Sequence, residues 1–180
     1  SGQDNRFKTF LRCGWSTVAI DEHGITKVAM YGPVKGYSHT VPRGEISGLL
    51  GFVANVFPPT ILPIDNFAVV KTFGKGRKTC EAANTANADL WRAVWQFDQQ
   101  LKIQVFLEPK TAVNAYNKAK QDNTDLIVVT WFKAHQKEDK VATELLPLFW
   151  ANNAADRYAK RVLNHIGLAK QLLASISSSG

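Results

Sequence analysis

The apolar residues of this chain change their spacing along its length, and the change divides the chain into predicted strands and helices. Residues 15–20 and 25–31 are mostly apolar, extended runs separated by the turn-forming cluster 21–24, which predicts a hairpin. A third strand is predicted over 37–41, before Pro42. From Arg43 the apolar residues recur at helical spacing, and the Pro58–Pro59 pair ends this predicted helix. The first third of the chain therefore predicts three strands followed by a helix.

Strand and helix signals alternate through the rest of the chain. The predicted strands are 61–64, 103–107 and 126–132; the predicted helices are 67–73, one that starts at Asn87 or Asp89, 112–120, 142–149 and 152–168. Asp65 and Asn66 are candidate caps of the helix over 67–73. This order predicts an α/β fold, a mixed sheet with helices packed on it. We expect one domain over 1–180, with a polar lead-in at 1–12, a core at 13–168 and a tail at 169–180.

Composition and charge limit the classes of molecule that we expect this chain to bind. The 180 residues carry a formal net charge of +7, and the pI is about 9.5, which favours a polyanion such as nucleic acid; a solvated basic surface is the alternative. No run of apolar residues approaches the 18 or more that a membrane span needs, and the first residues have no signal-peptide pattern, so we expect no membrane partner. Cys13 and Cys80 are expected to be free thiols. These features predict an intracellular protein, nuclear or cytoplasmic.

Four residues are candidates for chemistry, and each also has a structural interpretation. Asp65 follows a buried strand, where α/β proteins place ligands, but it is also a candidate helix cap. Glu45 lies in the first turn of a helix, where it could complement the helix dipole. Asp156 could be a surface carboxylate paired with Lys160, four residues later. His135 follows the longest strand signal, as an exposed loop residue often does.

A glycine-rich basic loop follows the helix over 67–73. Lys75, Arg77 and Lys78 stand beside Gly74 and Gly76, which would let the backbone approach a phosphate. The alternative is a solvated charged loop.

Five short motifs occur in an order that is similar to the ribonuclease H family. They are Arg-Gly-Glu-Ile-Ser-Gly-Leu-Leu at 43–50, Ile-Leu-Pro-Ile-Asp-Asn at 61–66 with two valines at 69–70, Ala-Asp-Leu-Trp at 88–91, Trp-Phe-Lys-Ala-His at 131–135, and Asn-Asn-Ala-Ala-Asp at 152–156 with Ala159. The resemblance covers about residues 14–163, and its specificity lies in the order of the motifs.

The resemblance implies a mixed five-stranded sheet flanked by helices and four carboxylates that hold two Mg²⁺ ions, with Mn²⁺ as an alternative. Glu45, Asp65 and Asp156 would be three of these catalytic metal ligands. His135 would assist proton transfer or product departure, and Trp91 would face a DNA strand, although Trp91 and Trp95 could equally be core residues. Two divalent ions can clamp the attacking and leaving oxygens of a phosphodiester, and Mg²⁺ prefers carboxylate oxygens. We therefore expect the three carboxylates to converge within metal-bridging reach.

The chain departs from the family at its beginning. The family's first carboxylate ends a central first strand, whereas Cys13-Gly14-Trp15 resembles the start of the second strand. The missing carboxylate would lie upstream of Ser1, or Asp21 would replace it, although Asp21 is better explained as part of a hairpin turn. Asp4 is a poorer candidate. A separate chain or peptide is a further possible source of the missing strand.

The expected function is hydrolysis of the RNA strand of RNA–DNA hybrids, by a metal-dependent endonuclease. One alternative is a catalytically inactive module of the same fold that binds nucleic acid or protein. Another is a different nuclease or a strand-transfer enzyme, because a fold alone does not determine a substrate.

Overall fold

The computed structural model describes residues 2–4, 12–35, 40–97 and 99–178. Its strands are β1 Gly2–Asp4, β2 Arg12–Ile20, β3 Thr26–Pro33, β4 Thr60–Ile64, β5 Lys102–Phe106 and β6 Leu126–Trp131. Its α-helices are α1 Val41–Asn55, α2 Phe67–Gly74, α3 Arg77–Cys80, α4 Ala88–Trp95, α5 Pro109–Gln121 and α6 Leu146–Ser178. Two short 3₁₀ turns, Glu138–Lys140 and Thr143–Leu145, precede α6. The protein is therefore a mixed α/β protein, as the order of signals predicts.

The strands form two sheets within the described residues. One is antiparallel with the order β1–β2–β3, and the other is parallel with the order β4–β6–β5. The prediction of a single five-stranded sheet is therefore not met in this part of the chain. Within the described residues β1 pairs with Arg12–Gly14 of β2, and no ladder joins β1 to β4, so the two sheets are separate.

The hairpin between β2 and β3 is confirmed. The Asp21 carbonyl accepts the backbone N–H of Gly24 at 3.0 Å, and the Asp21 carboxylate accepts the N–H groups of His23 and Ile25, each at 2.9 Å. Gly24 has a φ of +79°, a conformation that glycine adopts without the strain a side chain would add. Asp21 thus satisfies the polar groups of the turn.

Two helices cover the opposite faces of β2, and small residues allow their close approach. Gly14 lies against α6, where an added Cβ would stand 2.6 Å from the Ala159 carbonyl oxygen. The Ser16 hydroxyl, on the same face, donates to the Ala155 carbonyl of α6. On the other face Thr17 Oγ1 donates to the Gly48 carbonyl of α1 at 2.6 Å. The alternation of strand side chains therefore places α1 and α6 on either side of β2.

The main core lies between the parallel sheet and the helices α1, α2 and α4. Ile127 and Val129 of β6 belong to this core and are fully buried, while Val128 and Thr130, also fully buried, alternate with them. A central parallel strand covered on both faces has the continuous apolar sequence that β6 shows. A smaller cluster of Phe132, Leu148 and Phe149 links the end of β6 to α6.

Three predicted boundaries differ from the structure. The strand predicted over 37–41 is wrong at its end, because Thr40 caps α1 and Val41 is already helical; residues 36–39 lie outside the described part. The helix predicted over 142–149 starts later, since Thr143–Leu145 is a 3₁₀ turn, and it is continuous with the helix predicted over 152–168 as α6, which extends through the predicted tail to Ser178. Part of the predicted lead-in forms β1. Local patterns locate elements better than they locate the ends of elements.

None of the described helices is both long enough and apolar enough to cross a membrane. Cys80 is a free, buried thiol, and the Cys13 side chain lies outside what the structure describes.

Candidate functional site

Asp65 is available for chemistry because its neighbour caps the helix that follows. The Asn66 side chain accepts the N–H of Val69 at 3.1 Å, so Asn66 is the N-cap of α2 and the interpretation of Asp65 as that cap is wrong. The Asp65 backbone is held in turn by the end of β6: the Trp131 indole N–H donates to the Asp65 carbonyl at 3.2 Å. Asp65 therefore occupies the carboxyl end of β4, at a defined position beside β6.

Glu45 and Asp156 both act on Asp65 from the helices that flank the sheets. Burial raises the pKa of Asp65 from its ordinary value of 3.8 to about 6, and the negative charge of Glu45, a hydrogen bond with Glu45 and the charge of Asp156 add to the rise. Glu45 comes from α1 and Asp156 from α6. Glu45 and Asp65 are thus in direct hydrogen-bond contact, and Asp156 is close enough to act on Asp65 through its charge.

Asp156 also has the ion pair that its sequence spacing predicts. Lys160 Nζ lies 2.8 Å from Asp156 Oδ2, one helical turn later on α6. Asp156 lies at the rim of an open cavity of about 500 Å³ whose other lining residues are His23, Gly24, Glu138, Phe149, Trp150, Asn153 and Arg157. Asp156 therefore forms the ion pair with Lys160 and also raises the pKa of Asp65 through its charge.

The donor set fits a divalent ion at Glu45 and Asp65. Mg²⁺ is commonly held by one or two carboxylates, with water and substrate phosphate completing its coordination. Burial is the first cause of the raised pKa of Asp65, and the charges of Glu45 and Asp156 add to it; a divalent ion would relieve this repulsion between carboxylates. Across the described ranges, however, no group of three or more His, Cys, Asp or Glu residues is arranged to hold a metal ion. The expected three-carboxylate metal group is therefore represented here by a pair, with Asp156 nearby.

His135 lies in the loop that follows β6. Its side chain is exposed, and its φ of +57° is unusual for a residue other than glycine. The Gln136 amide donates to the Lys133 carbonyl at 2.7 Å across this loop. Because β4 and β6 are parallel and Ile64 pairs with Trp131, the loop leaves the sheet at the same edge as Asp65.

The basic loop predicted at residues 74–78 is shorter in the structure: Lys75 and Gly76 connect α2 to α3, while Arg77 and Lys78 are the first residues of α3. All three cations are exposed, and one of them is paired. Lys75 and Lys78 are solvent-exposed, whereas Arg77 Nε lies 3.0 Å from Glu81 Oε1. A Cβ added at Gly76 would meet nothing within 4 Å, so the backbone there is open to an approaching group. Lys75 and Lys78 are thus the freer cations for a phosphate.

Trp91 does not face solvent, which corrects the expectation that it contacts a DNA strand. Its side chain is 1% exposed, and its ring stacks on Phe73 with the ring centroids 5.6 Å apart. Trp95 packs on the same Phe73 ring at 5.1 Å. The four-residue spacing of the two tryptophans therefore marks the core-facing side of α4, the alternative that the sequence also allows.

Two residues that support the site were not identified from the sequence. Trp131 holds Asp65 through its indole N–H, and Arg43, a nearly buried cation two residues before Glu45, forms an ion pair with the exposed Asp89. Both stand inside the quoted motifs, but no spacing rule connects an indole with a carbonyl 66 residues away. The one available sequence signal for Arg43 was a cation at the start of an apolar helix, because a cation that becomes buried there needs a partner.

Comparison with family models, with curated proteins and with solved structures gave no match for this chain. The proposals below therefore depend on the geometry described above and on the order of the sequence motifs.

Proposed function

We propose that this chain is a ribonuclease H-like domain that hydrolyses the RNA strand of RNA–DNA hybrids with the help of divalent metal ions, Mg²⁺ or Mn²⁺. The observation that carries the proposal is the contact of Glu45, on α1, with Asp65, directly after β4, together with the charge of Asp156, on α6, which acts on the same carboxylate. The motif order of the sequence supports it independently. The basic net charge suits an anionic substrate.

Each carboxylate has a distinct place in the proposed site. Glu45 and Asp65 would hold a metal ion between them, and Asp156 would add its negative charge from the opposite helix. A bound divalent ion would supply stabilisation of the charge that develops on the phosphodiester oxygens. Trp131 and Asn66 keep Asp65 at the end of β4, since one holds its carbonyl and the other caps the helix that follows. His135, on its exposed loop, would assist the transfer of a proton to the leaving oxygen.

Recognition of the hybrid would come from outside the carboxylate cluster. Lys75 and Lys78 are exposed for backbone phosphates, and the 2′-hydroxyl groups of the RNA strand distinguish it from DNA. In this proposal a first strand, added beside β2, would lie between β2 and β4 and join the antiparallel and parallel sheets into one mixed sheet. The source of that strand is an upstream segment or a separate chain.

The test is cleavage of a labelled RNA–DNA hybrid in Mg²⁺, with duplex RNA and duplex DNA as comparison substrates. Asp65→Asn and Glu45→Gln should each lower the cleavage rate by at least about a hundredfold, because each removes a charged ligand without changing its shape. Asp125→Asn, an exposed carboxylate before β6, is the matched control and should cleave as the parent does. Equal cleavage by parent and Asp65→Asn would refute the proposal.

A second candidate function is a catalytically inactive module of the same fold that binds nucleic acid. The observation in its favour is that the described residues hold a carboxylate pair rather than a group of three that could bind a metal ion. Tight, salt-sensitive binding of the hybrid without cleavage under any metal condition would select this function. Cleavage that prefers duplex DNA would instead select a different nuclease or a strand-transfer enzyme.

A further inference from the structure

Arg43 is a nearly buried cation with four hydrogen bonds to three residues in two separate segments. Its side chain is 11% exposed, and Nη1 and Nη2 donate to the two carboxylate oxygens of Asp89 at 3.0 and 2.8 Å. Nη1 also donates to Asn87 Oδ1 at 3.1 Å, and Nε donates to the Lys35 carbonyl at 2.9 Å. A planar guanidinium held by two parallel bonds to a carboxylate has a fixed orientation. We call Arg43, Asn87 and Asp89 the Arg43 clamp.

The clamp lies on the side of α1 opposite to Glu45. Residues two positions apart on an α-helix point in directions about 200° apart, so Arg43 faces α4 while Glu45 faces Asp65. One turn later the Gly48 carbonyl accepts the Thr17 hydroxyl of β2 at 2.6 Å, which holds α1 against the antiparallel sheet. The first turn of α1 is thus fixed on one side by α4 and on the other by β2.

The far side of the clamp is itself rigid. Asn87 and Asp89 begin α4, and two residues later Trp91 is buried against Phe73. The clamp therefore fixes the rotation of α1 about its axis relative to the main core. The direction of the Glu45 side chain is fixed with it.

We propose that Arg43 is a positioning residue that, through its fork onto Asp89, sets the orientation of the Glu45 carboxylate toward Asp65. What Glu45 does once oriented rests on the proposed function. The alternative is that the clamp only stabilises the folded protein and does not orient Glu45. Residues that orient metal ligands from behind typically change metal affinity or activity by about 10–100-fold when replaced.

The test compares Asp89→Asn and Arg43→Lys with Ala112→Gly. Asp89→Asn keeps the size of the side chain and removes one carboxylate oxygen, and Arg43→Lys keeps the charge and removes the fork. Ala112 is fully buried on α5, away from α1, so Ala112→Gly is a control that loses stability without touching the clamp. For each protein we would measure thermal stability, Mn²⁺ affinity by electron paramagnetic resonance, the carboxyl ¹³C resonance of Glu45, and kcat and KM on the hybrid.

We expect both clamp variants to shift the Glu45 resonance, to weaken Mn²⁺ binding about tenfold and to lower kcat with little change in KM, since the substrate-binding cations lie elsewhere. Ala112→Gly should lose stability alone. If the clamp variants lose stability but keep the Glu45 resonance unchanged, the positioning role is refuted. A parent chain that binds no Mn²⁺ would refute the metal site of the proposed function, and the Glu45 resonance would still decide the role of the clamp.

Discussion

Asp65 and Asn66 show how adjacent residues of similar shape take different roles. Asn66 caps α2 because its side chain reaches the Val69 N–H, which leaves the Asp65 carboxylate to turn toward Glu45. A helix needs one side-chain cap, and the residue with extended backbone next to the first turn supplies it. The chemistry of the site thus depends on which of two neighbours satisfies the helix.

The raised pKa of Asp65 gives a stability prediction with a definite sign. Because the pKa rises from 3.8 to about 6 on folding, the folded state holds the proton more tightly than the unfolded state. The contribution of this group therefore favours folding below about pH 4 and is lost as the pH rises through about 6. We expect Asp65→Asn to stabilise the protein by about 1–2 kcal/mol at pH 8, a value reduced for partial solvent screening, and to have little effect at pH 4.

Urea unfolding at the two pH values measures this difference. The exposed Asp125→Asn is the control and should show no comparable difference between the two pH values. An equal effect of Asp65→Asn at pH 8 and at pH 4 would mean that burial and the neighbouring carboxylates do not raise the pKa of Asp65 on folding.

At the scale of elements, the sequence left two features open: whether the tryptophans of α4 pack in the core, and whether the basic loop is exposed. The helix turns Trp91 and Val94 into the core and leaves Arg92 exposed, so its aromatic residues serve packing. The loop before α3 remains exposed, with an open backbone at Gly76. The loop therefore remains the candidate contact for nucleic acid.

Replacing Lys75, Arg77 and Lys78 together by Ala should weaken hybrid binding and flatten its salt dependence by up to about three units of slope. Because Arg77 is already paired with Glu81, we expect Lys75→Ala and Lys78→Ala to account for most of the change. Titrations between low and moderate salt measure the slope. The control replaces Lys110, Lys118 and Lys120 of α5 by Ala, which removes the same charge from another surface. An equal loss in both triple variants would assign the effect to net charge.

At the scale of the whole molecule, the register between β1 and β2 shows where a further strand could be added. In the described part of the chain β1 pairs with Arg12–Gly14, and residues 15–20 of β2 pair with β3. Each step back along β1 moves the partner one step forward along β2, so a strand attached ahead of Ser1 would continue the ladder toward Ile20. Unpaired backbone groups in a buried sheet cost on the order of 1–3 kcal/mol each, so such a strand should stabilise the protein.

The same register locates the last residue of an added strand. The residue directly ahead of Ser1 would pair with Ser16, whose hydroxyl contacts Ala155, the neighbour of Asp156. A carboxylate at that position would therefore lie level with Asp156.

We expect an apolar six-residue strand ending in Asp, fused ahead of Ser1, to raise the melting temperature and to increase hybrid cleavage at least about tenfold over the chain alone. The same fusion ending in Asn should raise stability without the gain in cleavage, and a fusion with a central proline should do neither. Full activity of the unfused chain that is lost in Asp21→Asn would contradict this and identify Asp21 as the first ligand.

Most of the elements and the candidate residues could be predicted from the sequence, because periodicity, caps and turn residues are local properties. The hairpin at Asp21, β4 and β6 follow from their own residues. Three facts could be learned only from the folded structure: Glu45 contacts Asp65, Trp91 is buried, and Arg43 joins α1 to α4. These facts depend on which faces of distant elements meet, and a contact across the sheet has no signature in the spacing of residues along the chain.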